Sequence, residues 1–310
     1  MQVQVYKSEN KKIWDEFISN SKNGLFMFKR DFMDYHSDRF DDNSLLFYYK
    51  DKLLAVLPAN IREDVLYSHQ GLTFGGIISD NRMKTPVMLD IFESIRIYMQ
   101  NRSLKKLVYK AIPYIYHQIP AQEDLYALSN IKASIFRTDV SSTVDLTKRP
   151  SFSSIRKRGA KKALKKGLIV EKSEDYAQYI QVLNDVLLEN HNTQAVHSIE
   201  EIELLVSRFP DNIKLYTASK YGEIYAGTLI FEYPEVVHAQ YIASSNKHRN
   251  SGSLDLVFST LINETYQEKK YFDFGISTED CGKMLNEGLI AQKEGFGARA
   301  VVHQFWEMNV

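Results

Sequence analysis

The chain has 310 residues, with 39 Lys and Arg set against 39 Asp and Glu, and carries no formal net charge. With 44% hydrophobic and 25% charged residues it has the make-up of a folded protein, which excludes a disordered, collagen-like or disulfide-stapled chain. Neutrality also excludes a surface that is basic throughout, and the single cysteine, Cys281, allows neither an internal disulfide nor a multi-thiolate metal site.

At roughly 100–200 residues per domain, the length accommodates two domains. The opening segment Met1-Gln2-Val3-Gln4-Val5-Tyr6-Lys7 lacks the basic-then-apolar form of a signal peptide. No apolar run approaches the roughly 18–20 residues that span a bilayer. A soluble, cytoplasmic protein without a membrane span is expected.

In chain order, the first element is a β-prone stretch leading through Val5-Tyr6-Lys7-Ser8-Glu9 into an amphipathic helix. Its apolar stripe is Ile13, Trp14, Phe17 and Ile18, and Ser8 is the expected N-cap. Leu45 to Tyr49 and Leu53 to Pro58, flanking Asp51-Lys52, predict a hairpin. A further strand, a helix over about 86–100 and the strand Lys105-Lys106-Leu107-Val108-Tyr109 follow. Past the midpoint the order repeats. Val170-Glu171-Lys172-Ser173-Glu174 leads into a helix striped by Tyr176, Ile180, Leu183, Val186 and Leu187, again with Ser as cap. Lys214 to Ser219 and Glu223 to Glu232 form a hairpin about Tyr221-Gly222. The strand Val236 to Ala243, a helix over 253–268 and the strand Lys269-Lys270-Tyr271-Phe272-Asp273 complete the second set. Agreement in order and spacing predicts two copies of one α+β module, 1–147 and 148–310, each a mixed, mainly antiparallel sheet flanked by helices.

Between the copies stand Lys148, Arg149, Arg156, Lys157, Arg158, Lys161, Lys162, Lys165 and Lys166, with no acidic residue among them. Ile155, Ala160, Ala163 and Leu164 give this block the stripe of a short helix, which Ser153 or Ser154 can start and Gly167 can end. It is either a solvated face or an anion site for the phosphates of a cofactor, a nucleotide-linked substrate or RNA.

A second anion site is predicted at Arg249-Asn250-Ser251-Gly252-Ser253, a glycine-bearing turn that opens a helix after a strand. Such a turn aims free backbone N–H groups and the positive end of the helix dipole at one spot, and Arg249 can add a bidentate contact. In the first half, Tyr67-Ser68-His69-Gln70 and Tyr114-Ile115-Tyr116-His117 fall at strand ends, which makes His69 and Tyr116 candidate substrate contacts. Gly75-Gly76 is not followed by an Arg-x-x-Gly turn, so the first copy is expected to lack such an anion site and to serve as a wall of the substrate cleft. Metal binding is not expected: the eight His include no helical His-x-x-x-His pair and have no Cys partner.

With Leu254 following it, the loop at 249–253 resembles the pyrophosphate loop of GNAT acyl-CoA N-acyltransferases, Arg/Gln-x-x-Gly-x-Gly/Ala, departing from it only at Leu254. The whole chain resembles the paired-GNAT proteins related to Fem-type peptidoglycan-bridge aminoacyltransferases. The resemblance is carried by Leu57-Pro58, Leu72-Thr73-Phe74-Gly75-Gly76, Ala111-Ile112-Pro113-Tyr114-Ile115-Tyr116-His117, Phe272-Asp273-Phe274-Gly275 and, most specifically, Gln292-Lys293-Glu294-Gly295-Phe296-Gly297. The long helical hairpin common in tRNA-using Fem enzymes does not fit in the stretch 170–212.

The resemblance implies two tandem GNAT-like modules, with acetyl-CoA or another acyl-CoA as co-substrate, no metal, and a small amine acceptor such as an amino sugar or a cell-envelope precursor. The thioester carbonyl would face backbone N–H groups of the strand 236–243, where His238, Gln240 and Tyr241 become candidate catalytic residues, with Asp273 on the adjoining strand. By alternation His238 and Gln240 share one strand face and Tyr241 takes the other. His191 and His197 would flank a loop over the acceptor, and Glu279 and Lys293 would be further substrate contacts. Two other functions remain: aminoacyl transfer from tRNA with the basic helix as RNA contact, and a non-catalytic binding protein, which Leu254 motivates.

Overall fold

The computed structural model describes the backbone of residues 1–310 and every side chain except those of Asn190 and His191. The chain divides into two compact units: residues 1–139 with 280–283 and 302–310, and residues 140–279 with 284–301. The division falls at 139/140 rather than at 147/148, and residues 302–310, most of the C-terminal strand Arg299–Asn309, belong to the first unit. The early boundary follows from the strand Ser134–Asp145, whose residues 141–145 pair with Tyr271–Ile276 in the second unit.

In the first unit, Gln2–Val5, Leu45–Tyr49, Lys52–Leu57 and Ile78–Ser79 form a four-stranded antiparallel sheet. The hairpin turn is Lys50-Asp51, both left-handed (φ 48° and 61°), one residue earlier than expected. Two left-handed residues make the tight turn whose twist matches the paired strands. The helix Lys11–Ser19 buries Trp14 and Ile18, and the Trp14 indole N–H donates to the Phe28 carbonyl at 2.7 Å. Ser8 does not cap it: Asn10 precedes the first turn. A second group of strands centres on Lys106–Lys110, parallel to Val65–Tyr67 and antiparallel to Phe305–Asn309. The helix Thr85–Asn101 covers this core with Met88, Ile91, Phe92, Ile95 and Met99.

Gly75-Gly76 has a structural reason. Gly76 is left-handed (φ +88°), and a Cβ there would lie 2.7 Å from the Tyr109 hydroxyl. That hydroxyl accepts from the Ile77 N–H at 2.7 Å and donates to Asp124 Oδ2 at 2.6 Å. Burial pushes the Asp124 carboxyl up to about 6, against hydrogen bonds that lower it. The native state thus holds this proton more tightly than the unfolded chain, whose carboxyl has the ordinary value of 3.8. Stability is fullest below 3.8 and declines by about 3 kcal/mol as pH rises through that window to 6. Asp124→Asn, which mimics the protonated form, is expected to match wild type in thermal unfolding near pH 4 and to melt higher near pH 7. A Tm difference that stays constant with pH would refute this origin.

In the second unit the sheet order is Ile169–Ser173, Ile213–Lys220, Glu223–Glu232, Val236–Ser244, Tyr271–Ile276 and residues 141–145. Every pairing is antiparallel except that of Val236–Ser244 with Tyr271–Ile276, which is parallel. Tyr221 and Gly222, at φ 54° and 79°, form the expected hairpin turn. The basic helix runs Ser154–Lys165 from a Ser153 cap, and buries Ala160 and Ala163. The helix Tyr176–His191 is capped by Asp175, which accepts from the Gln178 N–H, so Ser173 is not its cap. The helix expected over 253–268 is α-helical only over Ser253–Thr260 and continues as a π turn, Leu261–Thr265. Val237, Ala239, Val257, Phe258, Phe272, Phe274 and Phe296 share one core. Among the described residues no helix is long and apolar enough to cross a membrane.

Candidate active site in the second unit

The site begins with a parting of two strands. Val236–Ser244 and Tyr271–Ile276 pair only through Val236–Tyr271, Val237–Phe272 and His238–Asp273, and then separate. Two residues on, Gln240 is an extra residue: Tyr241 faces Leu229 across the antiparallel neighbour while Ala239 faces Ile230. Such a bulge bends and twists its strand. Its effect on alternation shows in the packing, because Val237, Ala239 and then Ile242 meet the same core. His238 and Tyr241 therefore share the opposite face, which corrects the grouping of His238 with Gln240.

Beyond the parting lies a cavity of about 620 Å³, walled by Ile242, Ala243 and Ser244 on one strand and Phe274 on the other. Two helix starts converge on it, Ser153 to Arg156 and Gly252 to Asp255. The helix Glu287–Glu294 adds Leu289 and Lys293. One region of the wall is apolar, with Ile155, Val186, Leu254, Phe258, Leu289 and Phe296. The charged members are Arg156, Arg249, Lys293 and Asp255, three cations to one carboxylate. Two helix N-termini and a cationic surplus suit an anion.

The start of Ser253–Thr260 touches the middle of the basic helix backbone to backbone. Gly252 is left-handed (φ +80°), and a Cβ there would lie 2.2 Å from the Gly159 carbonyl oxygen. Arg156 Nη1 meets Asp255 Oδ1 at 2.6 Å. Burial raises the Asp255 carboxyl above its ordinary value, and Arg156 opposes the rise. The Arg249 side chain is solvent-exposed and makes no ion pair among the described residues. Lys293 is nearly buried and donates to the carbonyls of Gly275 (2.9 Å) and Ile276 (2.8 Å) and to Ser277 Oγ (2.9 Å). Burial brings its ammonium down to about 8, with Asp273 opposing. It ties its helix to the strand end at Gly275 and keeps positive charge on the wall.

Of the predicted loop, Arg249 and Gly252 reach the cavity. Asn250 is exposed and off the wall, and Ser251 and Ser253 are turned inward, where the Ser253 N–H donates to Ser251 Oγ at 3.1 Å. None of His238, Gln240, Tyr241 and Asp273 lines the cavity. Asp273 is fully buried and accepts from Ser141 Oγ (2.5 Å) and Thr143 Oγ1 (2.9 Å), and the His238 ring Nδ1 lies 2.8 Å from its other oxygen. Tyr241 instead meets His197, with 2.6 Å between hydroxyl and Nδ1, and burial pushes its phenol up to about 12.

The side chain of His191 lies outside the described residues. Glu279 is exposed and accepts from the Asn286 amide at 2.7 Å. In the first unit His69 is buried against the rings of His36 and Phe40, and burial takes its imidazole down to about 3. Tyr116 is buried against Phe74. Arg156 was expected as one of nine cations of a possible anion site and Phe274 as part of a resemblance motif, whereas Asp255, Phe258 and Leu289 were missed as wall residues. Of these Asp255 had a readable signal, an acid in the first turn of a helix. Among the described residues no group of three His, Cys, Asp or Glu is placed to hold a metal ion.

No protein-family model matches the sequence, and no curated protein matches it either. Solved structures do. FemX matches with a TM-score of 0.68 at 11% identity, over 98% of this chain and 97% of that one. L-PGS from Bacillus licheniformis matches at 0.62 and 13%, over 98% and 92%. A tandem GNAT protein from the clavulanic acid biosynthesis pathway matches at 0.52 and 11%, over 99% and 98%. The chain has a tandem GNAT-like fold. The α+β class and the doubling expected from the sequence are thereby borne out. In this tandem GNAT-like chain, the strand parting and the cavity both fall in the second module.

Proposed function

We propose that the second unit binds the phosphate-bearing carrier of an acyl thioester, acetyl-CoA or another acyl-CoA, and that the protein transfers the acyl group to an amine. The supporting observation is the cavity itself, cationic where two helix starts line it and apolar along Phe258, Phe274 and Phe296. In this reading Arg249, Arg156 and the start of Ser253–Thr260 hold the diphosphate. The acyl end points toward the parted strands, whose backbone N–H groups beyond His238 face the carbonyl oxygen as charge develops there.

The neutral amine attacks the thioester carbon, the carbon–sulfur bond breaks, and the proton shed by the amine passes through water to the departing thiolate. The wall contains one carboxylate, Asp255, already paired with Arg156, and no histidine. Catalysis then rests on positioning and on the electrostatics of the wall rather than on a dedicated base. The related families suggest an amino sugar or a cell-envelope precursor as acceptor.

Calorimetric titration with acetyl-CoA tests the reading. Binding is expected, and Arg249→Ala is expected to weaken it about 10- to 100-fold, the worth of a charged hydrogen-bonding contact. No heat at millimolar ligand, or unchanged affinity in Arg249→Ala, would sink it.

A second reading, aminoacyl transfer from tRNA, is favoured by a recess of about 540 Å³ on the other side of the basic helix. Arg149, Lys157 and Lys161 line it, without a carboxylate, and the FemX likeness is one of fold. Among the described residues, the helices of the stretch 170–212 are Tyr176–His191 and Ile199–Arg208, after the strand Ile169–Ser173. This reading requires steeply salt-dependent binding of aminoacyl-tRNA. Binding of neither donor would leave a non-catalytic protein.

A further inference from the structure

The hairpin tip of the second unit is strained in a way that folding does not reward. Tyr221 holds a left-handed backbone (φ 54°), which a bulky side chain disfavours and which glycine or asparagine would satisfy at this turn. The residue is 95% exposed, with the neighbouring Lys220 ammonium 4.9 Å from its ring centre. Neither packing nor turn chemistry accounts for a tyrosine here.

Its surroundings share the anomaly. Lys220 Nζ donates to the Lys166 carbonyl at 2.6 Å, which ties the tip to the end of the basic helix. Ile169, which pairs in register with Ser219, is 65% exposed, and Leu164 is 60% exposed. Around them stand Lys161, Lys162, Lys165 and Lys166, all exposed and without an ion pair among the described residues. An aromatic tip and two bare aliphatic side chains sit in a field of unneutralised lysines.

We propose that this surface docks the second unit on an anionic lipid bilayer. Lysines drawn to acidic headgroups, with an aromatic ring and aliphatic side chains entering the interface, are the chemistry of peripheral membrane attachment. A phosphate polymer such as RNA would use the lysines, and Leu164 also lines the recess beside Lys157 and Lys161, but RNA gives no role to Ile169. The bare Ile169 decides between the two.

Co-sedimentation with vesicles of phosphatidylcholine containing about one third phosphatidylglycerol tests the proposal. The protein is expected to bind these and not pure phosphatidylcholine vesicles. Tyr221→Ser is expected to reduce binding about 5- to 10-fold, and the double change Lys165→Glu, Lys166→Glu about 20-fold or more. Tyr221→Gly, which relieves the backbone, is expected to lose binding as Tyr221→Ser does while its Tm holds or rises, separating docking from folding. The proposal is overturned by absent vesicle binding, by binding indifferent to Tyr221 and the lysines, or by RNA binding in its place.

Discussion

Replacing Gly252 by alanine is expected to cost about 3 kcal/mol or more and to abolish donor binding, whereas alanine at Gly222 costs about 1 kcal/mol and leaves binding intact. The two glycines have nearly the same backbone, φ +80° and +79°. A Cβ at Gly222 meets nothing within 4 Å, so that variant isolates the left-handed penalty. At Gly252 the same atom would stand 2.2 Å from the Gly159 carbonyl oxygen and 2.7 Å from its carbon. Backbone cannot rotate away as a flexible side chain can, so the helix start at Gly252 and the basic helix, met at its middle, must separate. Ser153, Arg156 and Asp255 move with them, and the cationic end of the cavity opens. Urea unfolding and acetyl-CoA titration of both variants check this. Equal losses would mean that the helix contact is not what shapes the site.

The second large effect is expected at Asp273. Asp273→Leu strands the Ser141 and Thr143 hydroxyls and the His238 ring in a buried place, and should cost about 3–5 kcal/mol. Asp273→Asn keeps a carbonyl oxygen for the hydroxyls and can offer an N–H to His238 Nδ1 once that ring carries its proton on Nε2. Its expected cost is about 1–2 kcal/mol, with activity per folded molecule within about threefold of wild type. A stable Asp273→Asn protein that has lost activity by orders of magnitude would show the carboxylate to be a base after all.

These two sites also show where reading the chain stops. Hairpins, the basic helix and the glycine-led turn at 249–252 were visible because their signals are local: turn residues, periodicity, caps. Asp273 looked like a catalytic carboxylate because its partners stand 132 and 130 positions away, at Ser141 and Thr143. The Arg156–Asp255 pair spans 99 positions. The bulge at Gln240 escaped for another reason. Its neighbours Ala239 and Tyr241 suit a regular strand, and only the registry against Leu229 and Ile230 reveals the extra residue. One unseen residue then reversed which side chains share a face.

The return of residues 302–310 to the first unit bears on the order of manufacture. Phe305–Asn309 pairs with Lys106–Lys110, and Met308 sits in that unit's core. On the ribosome, where domains form as they emerge, this unit lacks a strand until residues 302–310 have been made. The half that starts first is finished last. Losing these residues would injure not the neighbouring cavity-bearing half but the one begun some 300 codons earlier.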